Sequence, residues 1–198
     1  MYIPRWHRHL LAAAFLTASA GRLSASPMLT LTPSPDLSGA PGSTVGWGFT
    51  IVNDTPYFLE FSSSQFCLAP VILTPAVSCT PPVTGVFNDI IVGNDPIIAP
   101  DSSLSEDFDP VGFTTGLGYF DIDPDAAYPS SDVGQIVLIY DGYNQDPTSG
   151  GNYTQYLFSV PLATDASVTV VPEPATVALM AAALSILALM GRRARRTQ

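Results

Sequence analysis

The sequence predicts an all-β domain, an antiparallel β-sandwich, set between two non-globular ends. Three observations point there. Turn-forming dipeptides punctuate the middle of the chain at Pro41-Gly42, Asn53-Asp54, Asp95-Pro96, Asp109-Pro110, Asp123-Pro124, Asp141-Gly142, Asp146-Pro147 and Gly150-Gly151. The segments between them are short and rich in β-branched and aromatic residues. No stretch of residues 27–170 carries a convincing helical repeat of apolar positions.

The clearest strand is Val45–Val52, where Val45, Trp47, Phe49 and Ile51 alternate mostly with small or polar residues, the period-two pattern of a half-buried strand. Further strands are expected at Tyr57–Phe61, Val86–Val92, Gly118–Ile122, Gln135–Tyr140, Tyr153–Val160 and Ser167–Val171. Trp47, Phe49, Leu59, Phe61, Ile136 and Leu138 are the expected core. A small barrel would share this pattern. The run Pro41–Thr55 resembles Ig-like sandwich domains of secreted bacterial proteins, in which a strand ends in an Asn-rich turn. That resemblance implies a fold and no activity.

Charge is distributed very unevenly. All seven basic residues are arginines, at positions 5, 8, 22, 192, 193, 195 and 196, and both histidines, His7 and His9, are also near the start. Residues 27–171 hold 16 acidic residues and no basic one. Nucleic acid and anionic membranes are therefore excluded as electrostatic partners, because phosphate binding needs Lys or Arg. Internal salt bridges cannot form, so the carboxylates must be solvated, bonded to backbone or paired with a bound cation.

Residues 1–25 read as a secretory signal peptide: a basic start, the apolar run Leu10–Leu16, and small residues with cleavage sites after Ala20 or Ala25. The apolar core is much shorter than the ~20 residues a span needs. At the other end, Val171-Pro172-Glu173-Pro174 precedes an uncharged apolar run over 175–191, then Arg192, Arg193, Arg195 and Arg196. At about 1.5 Å per residue this run reaches roughly 25 Å, enough for a transmembrane helix with snorkelling arginines. The arginines form a basic stop on the cytoplasmic side. The two prolines hold the preceding segment extended and accessible at the membrane face.

These three parts in this order resemble the PEP-CTERM sorting signal of Gram-negative bacteria, over residues 171–196. The resemblance implies an exported substrate of exosortase, a membrane protease, in species that make extracellular polysaccharide. The signal peptide and the tail together predict passage through the Sec translocon, a transient inner-membrane anchor, and a final place in the cell envelope or outside the cell. The alternative is a permanent single-span anchor with Pro-Glu-Pro as a linker.

Cys67 and Cys79 are expected to form a disulfide in an oxidising compartment; two buried thiols are the alternative. Catalysis is poorly supplied. Without His, Lys or Arg in the exported part, a Ser or Cys nucleophile lacks its usual base and no cation stabilises an oxyanion. The chain is therefore expected not to be an enzyme; a carboxylate-dependent hydrolase is the remaining catalytic alternative.

No cofactor is demanded, and calcium is the single candidate. Asp121, Asp123 and Asp125, with Asp132 eleven residues after the first, echo the spacing of an EF-hand loop. Ala126 replaces the turn glycine, Pro124 stiffens the loop, and Asp132 stands where a bidentate Glu belongs, so an acidic surface turn is the plainer reading. Glu106-Asp107-Phe108-Asp109 is a second acidic loop. Tyr140, Tyr143, Tyr153 and Tyr156 could face a sugar or simply pack in strands. The sequons at Asn53 and Asn152 are read as chance, with Asn53 a turn residue. The expected function is a structural or adhesive surface protein; the alternative is a calcium- or polysaccharide-binding matrix module.

Overall fold

The computed structural model describes residues 26–73, 77–149, 154–173, 179–182 and 184. The expected signal peptide, 1–25, lies outside them. Eleven strands form two sheets: β1 Met28–Thr32, β2 Asp36–Gly39, β3 Thr44–Asn53, β4 Phe58–Ile72, β5 Ser78–Thr80, β6 Gly85–Asp89, β7 Ile97–Ile98, β8 Ser102–Glu106, β9 Gly118–Ile122, β10 Ser130–Tyr143 and β11 Tyr156–Val170. A 3-10 turn at Pro147–Ser149 lies between β10 and β11.

The first sheet runs β1-β3-β9-β6, with β8 also on β3. Glu106 pairs with Phe49 and Gly118 pairs with Trp47, so residues 107–117 loop out opposite Gly48 alone. The second sheet runs β2-β11-β10-β4-β5, with β7 also on β4. All pairs are antiparallel except β2 with β11, which is parallel. The second sheet is therefore mixed, not purely antiparallel as the turn pattern suggested. A long return path, and no hairpin, connects Gly39 to Ser167, which leaves a parallel pairing open to them.

The sheets face each other over one core. Trp47 of the first sheet stacks on Phe66 of the second with ring centroids 6.0 Å apart, and Phe66 meets Phe120 edge-on at 5.8 Å. Trp47, Phe49, Leu59, Phe61, Ile136 and Leu138 are all buried, as the alternation required. The indole N–H of Trp47 donates to the Pro35 carbonyl at 3.2 Å, satisfying a polar group that burial would otherwise penalise. Asp89, at the end of β6, links the layers: its carboxylate accepts from the Ser64 N–H at 2.8 Å, the Ser64 hydroxyl at 2.6 Å and the Ile91 N–H at 2.8 Å.

Several expected strand limits change. The Tyr57–Phe61 run is the start of the fifteen-residue β4. Tyr156–Val160 of one expected run and Ser167–Val170 of the next belong to one strand, β11, which passes through Pro161. Cys67 and Cys79 form a disulfide that ties β5 to β4. Asn53 is no simple turn residue: it is the fully buried end of β3. Its amide donates to the carbonyls of Tyr57, Ile98 and Ala99 at 2.8, 3.2 and 2.9 Å, and its carbonyl oxygen accepts from the N–H and hydroxyl of Thr55.

Candidate functional site

The outward face of the first sheet carries a cluster of three rings. Side chains alternate along β9, so Phe120 enters the core and Tyr119 points out. Tyr119 sits between Gly46 of β3 and Asn88 of β6. Gly46 is needed there: a Cβ would lie 2.5 Å from the Phe108 ring, which occupies the space above that glycine. Phe108, Phe113 and Tyr119 then form a group, with centroids 4.7 Å apart for Phe113 and Tyr119, 6.0 Å for Phe108 and Phe113, and 6.4 Å for Phe108 and Tyr119. Phe113 remains 39% exposed and Tyr119 half-buried.

The loop that brings Phe108 and Phe113 to this face is heavily tied. The Asp109 N–H donates to the Thr115 carbonyl and the Phe113 N–H donates to the Asp109 carbonyl, at 3.2 and 3.1 Å. The Asp109 carboxylate accepts from the Val111 N–H at 3.0 Å and the Thr114 hydroxyl at 3.2 Å. Backbone N–H groups of Gly112 and Val111, then the Thr114 hydroxyl, hold this carboxyl below its ordinary pKa. Phe113 has φ 53°, a left-handed conformation that costs a bulky side chain on the order of 1–3 kcal/mol. The network around Asp109 keeps it there.

Polar rows flank the rings. On one side Asp121 accepts from the Thr44 hydroxyl at 2.5 Å and from the Asn88 amide at 3.0 Å. On the other, Thr50 and Ser105 share a hydroxyl bond of 2.7 Å. The face thus presents a cluster of tilted aromatic rings beside hydroxyls, an amide and carboxylates, with no cationic group.

The four carboxylates expected to share a calcium are not brought together. Asp121 lies in the polar row just described. Asp123 and Asp125 are exposed in a turn closed by the Ala126 N–H on the Asp123 carbonyl at 3.0 Å. Asp132 is buried, and one of its oxygens accepts from the N–H groups of Val83 and Thr84 and from the Thr84 hydroxyl. Among the described residues no group of three His, Cys, Asp or Glu could hold a metal ion. Glu106 and Asp109 of the second acidic loop serve the loop itself, Glu106 accepting from the Gly116 N–H at 3.4 Å.

The tyrosine cluster divides. Tyr140 is a core residue against Phe61 and Phe158. Tyr143 and Tyr156 pack edge to face at 6.0 Å, and Tyr143 bonds to Glu60. Tyr153 and Asn152 lie outside the described residues. Burial of Asn53 keeps its sequon away from any modifying enzyme in the folded protein. A cleft of about 470 Å³ between β4 and β6 is lined by Ser64, Phe66, Pro81, Pro82, Phe87 and Asp89. Its one carboxylate is occupied by Ser64 and Ile91, so the cleft holds no nucleophile with a free base.

Sequence reasoning missed Phe108, Phe113 and Tyr119. The signal was Gly46 and Gly48 on either side of Trp47: two empty positions on one face of a strand leave room for something to lie over it.

The tail starts on the sheet. Val170, buried, ends β11, and the Val171 N–H still donates to the Gly39 carbonyl at 2.9 Å. Val171, Pro172 and Glu173 follow with no linker. Pro174 and Arg192, Arg193, Arg195 and Arg196 lie outside the described residues. Of the expected span 175–191, residues 179–182 and 184 are helical. Among the described residues no helix is long and apolar enough to cross a membrane.

The family model of the PEP-CTERM protein-sorting motif matches residues 170–196. The chain therefore carries this motif, which marks an exported, envelope-associated protein sorted by exosortase. No curated protein sequence matches the chain. Among solved structures, the PapD-like domain 7 (ASH domain) of human CEP192 is similar at 8% identity and a TM-score of 0.34, over 76% of this chain and 88% of that one. AggA, the major subunit of aggregative adherence fimbriae type I from Escherichia coli, is similar at 12% identity and a TM-score of 0.30, over 75% and 98%.

Proposed function

We propose that this PEP-CTERM protein is a non-enzymatic component of the cell surface or extracellular matrix, with a structural or adhesive role. In this reading the Sec translocon exports the chain, the signal peptide 1–25 is removed, the 175–191 span anchors it transiently, and exosortase processes the tail. An Ig-like sandwich is then left at the envelope.

The observation that carries the reading is the missing linker. The sorting motif begins where β11 ends, and β11 pairs with β10 along nearly its whole length and with β2 at its end. A pull on the Pro-Glu-Pro end that processing leaves therefore enters the second sheet directly and loads many backbone hydrogen bonds together. A tethered enzyme gains nothing from such a junction, whereas a load-bearing module does. The residue inventory supports the same view, since residues 27–171 hold carboxylates as their only charged side chains.

Mass spectrometry of the mature protein tests this. The expected product lacks Arg192–Arg196, and a host without exosortase retains them. Secreted material that still carries those arginines would defeat the sorting reading. The exposed ring of Phe113, beside the half-buried ring of Tyr119, favours a second reading, a polysaccharide-binding module of the matrix.

A further inference from the structure

We infer that the outward face around Tyr119 binds a neutral, hydroxyl-rich polysaccharide, with Phe113 and Tyr119 as the stacking platform and Thr44, Asn88 and Asp121 as hydrogen-bonding partners. The inference deepens that second reading and depends on export only in that the ligand lies outside the cell.

The platform is prepared before any ligand arrives. Gly46 lets the Phe108 ring lie against the sheet, and Phe108 in turn supports Phe113 and Tyr119. The Asp109 network fixes Phe113 in a left-handed conformation that a glycine would adopt freely. A ring held in a strained backbone position, on a rigid loop and still open to solvent, is an expenditure that core packing does not require. The Phe113 and Tyr119 rings meet with centroids 4.7 Å apart and planes 41° apart, so the open face of Phe113 offers the stacking surface and Tyr119 borders it at an angle. Aromatic faces are electron-rich and attract the electron-poor C–H groups on the face of a sugar ring.

The surroundings choose the ligand class. Asn88 and Asp121 are paired across adjacent strands with Tyr119 and Val86, so they lie within one pleat repeat, about 7 Å, of the rings. The amide and hydroxyl can donate to and accept from sugar hydroxyls, and the carboxylate accepts from them. An anionic polymer would meet Asp107, Asp109 and Asp121 with no compensating cation. A protein partner would want a wider apolar patch than three rings broken by polar rows.

Retention of the purified full chain on insoluble cellulose, curdlan and mannan, with alginate beads as the anionic comparison, tests the assignment. At least one neutral polymer is expected to retain the protein equally at low and high salt, because no ion pair contributes. Tyr119→Ala and Phe113→Gly should each weaken retention about tenfold, as for a central aromatic contact, while Tyr119→Phe keeps it. Phe113→Gly should leave the melting temperature unchanged or raised, since glycine relieves the strain. Retention by no neutral polymer, retention that salt abolishes, or retention that survives both ring deletions overturns the inference. So does a Phe113→Gly variant that loses stability, because the ring would then be structural. Each of these results leaves the tail-processing measurement unaffected.

Discussion

Asp132 holds Thr84 twice. One buried carboxylate oxygen accepts the Thr84 N–H at 2.9 Å and the Thr84 hydroxyl at 2.8 Å, and takes the Val83 N–H at 3.0 Å as well. Val83 and Thr84 lie on the crossing from β5 in one sheet to β6 in the other. A residue that spacing alone suggested as a calcium ligand is thus the fastener of an inter-sheet connection. Asp132→Ala should cost roughly 2–4 kcal/mol, because two backbone N–H groups and a hydroxyl lose their acceptor in a buried site. Denaturant unfolding should show the same loss in calcium and in chelator. A loss that disappears in chelator would restore the metal reading.

Asn53 plays the corresponding part at the other end of the sandwich. It ties the Thr55–Tyr57 turn and the Ile98–Ala99 segment to β3 through one side chain. Asn53→Asp keeps the shape but turns a donor toward three carbonyl oxygens into an acceptor. It should destabilise by about 3 kcal/mol or more, the scale of a buried unpaired charge. Thermal melts should place Asn53→Asp below Asn53→Ala, which removes the donor without adding charge. The reverse order would show that water reaches this site.

How far these roles were legible depends on the range of the cause. Trp47, Phe49, Leu59 and Phe61 announce themselves by local alternation, and the structure buries them all. The tail is legible for the same reason: Val171–Pro174, the apolar run and the arginines are contiguous. Asp132 and Thr84 are far apart in the chain, and no local pattern tells a buried acceptor from a surface carboxylate. The ring cluster fails for a related reason. Phe108, Phe113 and Tyr119 have no strand or helix spacing, because the loop over 107–117 leaves the sheet opposite Gly48 and returns. The β-rich pattern of β11 breaks between Val160 and Ser167, and the strand continues through Pro161. An edge position permits it.

The disulfide makes its own prediction. Cys67 and Cys79 are 12 residues apart and hold the short strand β5 on β4. Closing a loop of this size restricts the unfolded chain by about 3 kcal/mol. The double variant Cys67→Ser, Cys79→Ser should show a lower denaturant midpoint by that order. Reducing agent should lower the midpoint of the natural protein similarly and leave the double variant unmoved.

Alkaline stability should fall in a defined window. Desolvation first, then the hydrogen bond and charge of Glu60, push the Tyr143 hydroxyl up to about 12 from its ordinary 10. The folded state therefore keeps a proton that the unfolded state has released between these values. The contribution is complete below pH 10 and is lost as pH rises through about 12. Tyr143→Phe should flatten the decline of melting temperature across that window. An unchanged slope would assign the decline to Tyr140, whose hydroxyl burial also raises.

Pro161 guards an open edge. β2 pairs with β11 only over Ser167–Val170, and among the described residues no strand pairs with residues 156–165 on that side. The N–H groups of Ser167 and Val171 point toward β2, donating to the carbonyls of Pro35 and Gly39. The register with β10 is unbroken from Val170 back to Phe158, so odd-numbered residues of this stretch all point their N–H the same way. Pro161 therefore stands where an outward donor is due and supplies none. The exposed stretch is uncharged from Tyr156 to Thr164, with Tyr156 54% and Leu157 38% exposed, which is the composition that recruits a foreign strand. Pro161→Val returns the donor and adds a β-branched side chain. Sedimentation should then show a concentration-dependent shift to larger species that the natural protein lacks at the same concentration. Pro161→Lys, which returns the donor but adds charge, should stay with the natural protein. Identical sedimentation of all three would mean that the edge is already covered and that Pro161 guards nothing.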